Sequence, residues 1–123
     1  MISIILIAYN EEYYIEKTLK SLSEINRINN AEIIVVYGGS SDNTVKIASK
    51  YAKIISSEKG KSKQLNSGAK IARGDILFFI HADMIIPKNA LDLIMQRIID
   101  GYDAGGFENS FSTHNKKLSC LAE

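Results

Sequence analysis

Short apolar runs separated by polar stretches are the main pattern of this chain. Three runs rich in Ile, Val and Phe are nearly unbroken, which is typical of parallel strands that are covered on both faces. They lie at Ile2–Ala8, Glu32–Tyr37 and Ile76–His81, and a weaker run at Lys53–Ser56 predicts a fourth strand.

Between and after these runs, apolar residues recur at the spacing of an α-helix. The four sets are Ile15, Leu19 and Leu22; Val45, Ala48 and Ala52; Leu65, Ala69 and Ala72; and Leu91, Ile94, Met95 and Ile98. Each set can lay one apolar stripe on a sheet. The third helix is predicted over residues 62–73, with Gly74 as its left-handed C-terminal stop.

Strand and helix alternate four times, which predicts an α/β fold with right-handed crossovers and a mostly parallel sheet that has helices on both faces. The length of 123 residues, with 46% hydrophobic and 24% charged residues, suits one domain and is too short for two. We expect its core over residues 1–100, a more exposed fifth strand over 103–112, and a loop over 112–117.

Composition argues against several classes of protein. With 15 basic and 14 acidic residues the net charge is +1, so charge gives no reason to expect binding to nucleic acid or to an anionic membrane. The single cysteine, Cys120, can form no internal disulfide and has no activating base beside it, so we interpret it as a bystander in a reducing compartment. We find no signal-peptide leader and no apolar run near the roughly 20 residues that span a bilayer, and we expect a soluble protein.

Three polar clusters follow strands at the edge of the predicted sheet where ligands bind in such folds. In the first, Gly38 and Gly39 let the backbone approach a ligand and aim amides at it, and Ser40 or Ser41 would cap the next helix. A strand-to-helix turn with a good N-cap and no ligand is an equally open interpretation.

The second cluster is His81, Ala82 and Asp83, directly after the fourth strand. A carboxylate at the exit of a buried strand is costly to desolvate unless a metal, a basic side chain or backbone amides accompany it. Asp83 could ligate Mg²⁺ or Mn²⁺, which take oxygen ligands and often keep substrate phosphates in their shell. The alternative is that Asp83 only caps the turn toward Pro87.

The third cluster places Lys59, Lys61 and Lys63 around Gly60 at the predicted start of a helix. Cations are unfavourable at the positive end of a helix dipole unless an anion such as a diphosphate offsets them. The alternative is a solvated surface without a role. Taken together, the three clusters map to one edge of the sheet and offer amides, cations and a metal-binding carboxylate.

Four segments in this order, at suitable spacing, resemble family-2 glycosyltransferases of the GT-A fold. They are Ile-Ala-Tyr-Asn-Glu-Glu, Val-Tyr-Gly-Gly-Ser-Ser-Asp-Asn-Thr, Gly-Lys-Ser-Lys-Gln-Leu-Asn-Ser-Gly-Ala and Arg-Gly-Asp-Ile-Leu-Phe-Phe-Ile-His-Ala-Asp. The resemblance covers residues 4–87 and is strongest for a bacterial subgroup with His-Ala-Asp in place of Asp-x-Asp. It implies a Rossmann-like GT-A domain that binds a nucleotide sugar.

The resemblance also implies roles for individual residues. Asp83 matches the last Asp of the metal motif and would hold Mg²⁺ or Mn²⁺ on the diphosphate, with His81 as a weaker ligand or a ribose contact. Lys61 matches a basic residue that faces the nucleotide. In such enzymes an acceptor hydroxyl displaces the nucleoside diphosphate, typically with inversion. The residues placed around the nucleotide sugar are Ala8, Tyr9, Glu11, Tyr37, Gly38, Gly39, Ser40, Asp42, Lys61, Asn66, His81, Ala82 and Asp83.

The chain departs from the family pattern at two points. Tyr37 stands where members usually have an Asp tied to base recognition, so selectivity for uridine does not carry over. The resemblance also implies an acceptor-binding half with a catalytic base carboxylate. Asp103 and Glu108 lie too early to match that base, so we expect it downstream of this chain.

Alternative functions and the partners stay open at this stage. The chain could be a nucleotide-binding module that is inactive because the base carboxylate is absent. A dinucleotide-binding enzyme is disfavoured because the turn after the first strand contains no glycine. The acceptor could be a glycan, a lipid or a small molecule. We expect a cytoplasmic protein. Peripheral attachment to the inner face of the membrane, through a further C-terminal part, is left open. Whether the protein forms a homo-oligomer is also left open.

Overall fold

The computed structural model describes residues 1–39, 43–84, 86–112 and 115–122, with side chains at all of these positions except 26–29 and 107–122. Contacts divide the chain into two compact units, Met1–Asp83 and Met84–Glu123. The organisation of residues 1–123 as a single domain stays a prediction.

The first unit alternates strands and helices and confirms the predicted α/β fold. In chain order the elements are β1 (Ile2–Ala8), α1 (Ile15–Asn29), β2 (Glu32–Tyr37), α2 (Thr44–Ala48), β3 (Lys53–Ser56), α3 (Lys61–Ile71) and β4 (Ile76–His81). All four strands are parallel and lie in the order β3-β2-β1-β4. Strands β2 and β3 therefore lie on one side of β1, and β4 lies on its other side. In such sheets ligands bind at the carboxyl ends of the strands, at the point where the strand order reverses.

The core is built around β1, which is buried along its whole length. On one face Ile5 clusters with Ile34 and Val36, and Ala69 and Ala72 pack against this cluster. Successive residues of a strand point to opposite faces, and the residues on either side of Ile5 are also fully buried. Both faces of the central strand are therefore covered, as its unbroken apolar run predicts.

The prediction that β4 is covered on both faces is wrong. Phe78 and Ile80 are buried, whereas Leu77 is 38% exposed and Phe79 is 44% exposed. Phe79 is in register with Ile5, so the exposed residues belong to the sheet face on which α3 packs. That helix lies against β1, β2 and β3, which leaves this face of β4 uncovered by it.

The buried stripe of α3 also differs from the prediction. Gln64 and Gly68 are its buried residues, while Leu65 is only partly buried. A Cβ on Gly68 would lie 2.5 Å from Cγ2 of Ile5 and 3.1 Å from Cγ2 of Val36. The absence of a side chain at Gly68 lets the helix approach the sheet, and this close contact turns Gln64 inward.

Gly74 does not stop α3, contrary to the prediction. The helix ends at Ile71, Ala72 is already extended, and Gly74 is not among the glycines with positive φ. A Cβ on Gly74 would lie 2.7 Å from the backbone oxygen of Met1 and 2.7 Å from the backbone nitrogen of Ser3. Glycine is required there because the chain passes close to the start of β1.

Helix α2 is shorter than its apolar spacing predicts. It begins at Thr44 with Asn43 at the N-cap position, and Ala52 lies beyond its end. Ser40 and Ser41, one of which we expected to cap this helix, lie outside the described residues. Thr44 and Ala48 are the buried residues of this helix.

The second unit contains α4 (Ala90–Ile99) and an antiparallel pair, β5 (Gly105–Ser112) and β6 (Asn115–Ala122). Strand β6 begins inside the stretch where we expected a loop. The apolar stripe predicted for α4 is buried only at its start, at Leu91, because Met95 and Ile98 are exposed. Among the residues that the structure describes, no helix combines the length and apolar content needed to cross a membrane.

Candidate nucleotide-binding site

The four parallel strands end at one edge of the sheet and place the predicted site residues side by side. Ala8 at the end of β1 is in register with Tyr37 at the end of β2, and Tyr37 is in register with Ser56 at the end of β3. On the other side of β1, Ile7 is in register with His81 at the end of β4. Residues from three separate sequence motifs therefore lie on adjacent strands.

The turn after β2 is tied to the end of β1. The amide of Gly38 donates a hydrogen bond to the carbonyl of Ala8 at 3.2 Å. A Cβ on Gly38 would lie 3.0 Å from both Oε1 of Gln64 and Cα of Lys59, so no side chain fits there without a shift. Gly39 has φ of 82° and open space around it, a backbone conformation that favours glycine. The predicted contacts Ser40 and Asp42 lie outside the described residues.

A second link joins the loop after β1 to the start of α2. The amide of Glu11 donates to Oγ1 of Thr44 at 2.9 Å, and Thr44 is fully buried. The amide of Asn43 donates to Oε2 of Glu12 at 3.4 Å. The loop that carries the predicted contact Glu11 is thus fixed to the start of α2.

Tyr9 connects the end of β1 to the loop before α3. Nζ of Lys59 lies 4.0 Å from the centroid of the Tyr9 ring, which is the geometry of a cation–π contact. Tyr9 is 37% exposed, so part of the ring still faces solvent at this edge.

The start of α3 carries positive charge and lacks a side-chain cap. Gly60 occupies the N-cap position and has no side chain that could accept from the amides of the first turn, although its own amide donates to Gln64. Lys63 pairs with Glu58 at 2.6 Å, whereas Lys61 is exposed and makes no ion pair with the described residues. Uncapped amides and an adjacent ammonium group together favour an anion. Asn66, also a predicted contact, is exposed further along the same helix.

The turn after β4 is anchored from beneath by α1. The hydroxyl of Thr18 donates to the carbonyl of Ala82 at 2.6 Å, and both residues are buried. On either side of Ala82, His81 is half-buried and Asp83 is exposed. The fixed backbone thus presents one imidazole and one carboxylate at the end of the strand.

This pair of side chains suits one kind of metal site. No group of three or more His, Cys, Asp or Glu residues able to hold a metal occurs within the described ranges. A closed protein cage is therefore not formed by these residues. A carboxylate with few further protein ligands fits Mg²⁺ or Mn²⁺, because such ions keep waters and take substrate phosphate oxygens.

Sequence reasoning missed three buried polar residues that hold the site together: Gln64, Thr44 and Thr18. Gln64 donates from Nε2 to the carbonyls of Ala8 and Val36, both at 3.0 Å. One signal for Gln64 was available in the sequence, because it lies four residues before Gly68. A polar residue and a small residue then share one face of the helix, which indicates a face that can pack closely. The apolar stripe through Leu65 obscured it.

The profile of glycosyl transferase family 2 matches residues 3–114. This chain belongs to glycosyl transferase family 2. The resemblance drawn from the four sequence motifs is confirmed.

Relatives within the family are longer than this chain. It is 30% identical to EpsH of Bacillus subtilis, which is named as a glycosyltransferase, over 96% of the chain and 38% of EpsH. It is 27% identical to the undecaprenyl-phosphate 4-deoxy-4-formamido-L-arabinose transferase of Proteus mirabilis, over 85% of the chain and 36% of that protein. The chain thus spans less than half the length of either relative.

Solved structures confirm the GT-A fold. Glucosyl-3-phosphoglycerate synthase of Mycobacterium tuberculosis, in complex with Mn²⁺, UDP and glucosyl-3-phosphoglycerate, matches with a TM-score of 0.71 and 27% identity, covering 90% of this chain and 43% of the synthase. Residues 1–349 of TarS of S. aureus, in complex with UDP-GlcNAc, match with a TM-score of 0.68 and 29% identity, covering 80% of this chain and 31% of that TarS chain.

Proposed function

We propose that this chain is the donor-binding part of a metal-dependent, inverting glycosyltransferase. Its donor is a nucleoside-diphosphate sugar, which binds at the carboxyl edge of the four-stranded sheet. The observation that carries the proposal is the linkage of separate loops at that edge. Ala8 accepts hydrogen bonds from both Gly38 and Gln64, so the exits of β1 and β2 and the start of α3 form one framework. The UDP and UDP-GlcNAc complexes of the structural neighbours support the choice of ligand.

The nucleotide is proposed to lie across the exits of β1 and β2. Tyr9 and Tyr37 offer aromatic rings there, and Gly39 leaves open space beside the backbone. Glu11, Ser40 and Asp42 are proposed to border the nucleotide from the loops that follow the same strands. Because Tyr37 replaces an acid tied to base recognition, the base is proposed to be held by stacking more than by a carboxylate contact.

The diphosphate is proposed to lie at the start of α3. Lys61 supplies an exposed ammonium group there, and the uncapped amides of the first helical turn add partial positive charge. An anion at this position offsets a lysine that is otherwise unfavourable at the positive end of a helix. Asn66 is proposed as a further polar contact from the same helix.

A divalent cation is proposed to be held by Asp83, with His81 as a second and weaker ligand. Mg²⁺ or Mn²⁺ supplies neutralisation of the charge that develops on the leaving diphosphate. The role of the protein residues is to hold the ion and the donor in a fixed position. The Mn²⁺ in the complex of the mycobacterial synthase supports this assignment.

In the proposed reaction, an acceptor hydroxyl attacks the anomeric carbon of the sugar from the face opposite the nucleotide. The bond from that carbon to the phosphate oxygen breaks, and the nucleoside diphosphate leaves with the electron pair. The hydroxyl proton passes to a base carboxylate, which we propose lies in a further acceptor-binding part. The name of the Proteus relative contains undecaprenyl-phosphate, a lipid phosphate, which supports a lipid among the candidate acceptors. Attachment at the inner face of the membrane is proposed to accompany such an acceptor.

Calorimetric titration of the chain with UDP in the presence of Mn²⁺ tests the donor site. Asp83→Ala is expected to abolish the Mn²⁺-dependent part of the binding, because it removes the carboxylate that would hold the ion. Asp75→Ala is the matched control, since Asp75 precedes β4 at the opposite edge of the sheet and its carboxylate is almost fully exposed.

Equal Mn²⁺-dependent affinity in the wild type and in Asp83→Ala would refute the metal assignment. Absence of UDP binding to the wild type would refute the donor site itself. An inactive nucleotide-binding module predicts binding of the sugar nucleotide without its hydrolysis or transfer, even after the acceptor-binding part has been supplied. Metal-dependent release of UDP from UDP-GlcNAc or UDP-glucose by that complete protein would exclude the module.

A further inference from the structure

We infer that Gln64 is a positioning residue that holds the nucleotide-facing loops in their binding arrangement. This inference rests on the proposed function, because it concerns the geometry of the same site. Gln64 is 4% exposed and lies in the first turns of α3, beneath the carboxyl edge of the sheet.

The side-chain amide of Gln64 bonds to three segments, of which those at Ala8 and Val36 are distant from it in the sequence. Nε2 donates to the carbonyl of Ala8 in β1 and to the carbonyl of Val36 in β2, both at 3.0 Å. Oε1 accepts from the amide of Gly60 at 3.3 Å. The two hydrogens of the amide group and its oxygen are therefore all used.

Each partner of Gln64 stands immediately before a residue proposed to contact the donor. Tyr9 follows Ala8, Tyr37 follows Val36, and Lys61 follows Gly60. By fixing these backbone groups, Gln64 sets the positions from which the two tyrosine side chains and the lysine side chain extend. Few other side chains could reach all three segments from one buried position.

The Gly38 turn depends on the same side chain. The Gly38 amide donates to the Ala8 carbonyl that also accepts from Gln64, and the position of a Cβ on Gly38 would be 3.0 Å from Oε1 of Gln64. The glycine turn thus packs directly on the glutamine amide. A loss of this amide would free the turn as well as the two strand ends.

The chemistry of glutamine matches this set of partners. Its primary amide supplies two donors and one acceptor at the end of a three-bond side chain. Glutamate would place carboxylate oxygens against two carbonyl oxygens, and methionine would keep the approximate shape but supply no strong hydrogen bond. A site held in its binding geometry before the ligand arrives loses less conformational entropy on binding. Loss of the amide is therefore expected to weaken nucleotide binding in the folded protein.

Gln64→Met tests this inference by calorimetric titration with UDP and Mn²⁺, at a temperature where circular dichroism shows the variant to be folded. We expect the dissociation constant for UDP to rise by about tenfold, the equivalent of one lost hydrogen bond. Gln96→Met is the matched control, since Gln96 is exposed on α4 and its side-chain amide donates to Asp100 in the same helical turn. Its affinity for UDP is expected to equal that of the wild type.

A lower melting temperature with an unchanged dissociation constant would overturn the inference and leave Gln64 a purely structural residue. If the wild type does not bind UDP, the proposed function is wrong. That result differs from the one that overturns only the role of Gln64, so the two outcomes can be distinguished. If Gln64→Met does not fold, hydrogen exchange of the two glutamine side-chain amides in the wild type replaces it. We expect slow exchange at Gln64 that UDP slows further, and exchange at Gln64 that UDP leaves unaltered would also overturn the inference.

Discussion

The hydroxyl of Thr18 in α1 lies 2.6 Å from the carbonyl oxygen of Ala82, to which it donates a hydrogen bond across 64 residues of sequence. Both residues are buried, and Ala82 stands between the two side chains proposed to hold a metal. The turn after β4 is therefore not held by its own residues alone. The carbonyl of Ala82 accepts its hydrogen bond from a helix that lies much earlier in the sequence.

Thr18→Val is expected to lower both the stability of the protein and its metal-dependent binding of UDP. Valine keeps the shape of threonine but leaves the buried Ala82 carbonyl without this donor, which costs about 1–3 kcal/mol. Urea denaturation measures the loss of stability, and calorimetry with UDP and Mn²⁺ measures the binding. Thr18→Ser keeps the hydroxyl and is expected to retain most of the binding. Equal UDP affinity in Thr18→Val and the wild type would show that the bond does not position Asp83.

Lys61→Met is expected to raise the dissociation constant for UDP by about tenfold to a hundredfold, because it removes a charge-assisted contact worth about 1.5–3 kcal/mol. The effect should shrink as the salt concentration rises, since exposed charges are screened. Lys70→Met is the control, because Lys70 is exposed in the last turn of the same helix. Similar losses in the two variants would mean that UDP responds to overall charge and not to the start of α3.

Gly68→Ala is expected to destabilise the fold even though alanine is the better helix former. The gain in helix propensity is at most about 1 kcal/mol. The new Cβ would lie 2.5 Å from Cγ2 of the fully buried Ile5, and such overpacking costs about 1–3 kcal/mol. Urea denaturation against Lys70→Ala, an exposed change in the same helix, measures the difference. A Gly68→Ala protein as stable as the wild type would show that α3 can move away from the sheet at little cost.

Stability should fall in acid because of Glu32 at the opposite edge of the sheet. Partial burial raises the pKa of Glu32, but hydrogen bonds from the Ser3 hydroxyl and the Arg73 amide, with the charges of Arg73 and Lys53, outweigh it and hold the pKa below its usual value. A lowered pKa in the folded state stabilises the protein above the unfolded pKa of about 4.3. That contribution is lost as the pH falls through the lower, folded pKa.

Glu32→Gln isolates this effect when its free energy of unfolding is measured against pH beside the wild type. We expect the variant to be less stable by about 1 kcal/mol near neutral pH, the usual worth of a hydrogen bond. This difference in the free energy of unfolding should disappear as the pH falls below about 4. Ser3→Ala should reduce the acid dependence of the wild type, because it removes one of the bonds that lower the pKa. A difference that stays constant with pH would contradict the role of Glu32.

The pattern of apolar residues was sufficient to predict the strands and their order along the chain. Parallel strands near the centre of a sheet are buried on both faces, so Ile2–Ala8 and Glu32–Tyr37 appear as continuous apolar runs that few other elements produce. The short motifs that follow these strands also sufficed for the family. Both signals are local, because each depends on residues within one element or one turn.

The roles of Gln64, Thr18 and Gly74 were decided only by the tertiary structure. Each acts on a partner far away in sequence, so its role depends on strand order and register that no local pattern contains. The same holds for Phe79, whose exposure follows from the position of α3 over β1, β2 and β3. Apolar periodicity reports which residues avoid water. It does not report which backbone carbonyl a buried amide or hydroxyl will meet, and that pairing requires the packed sheet and helices.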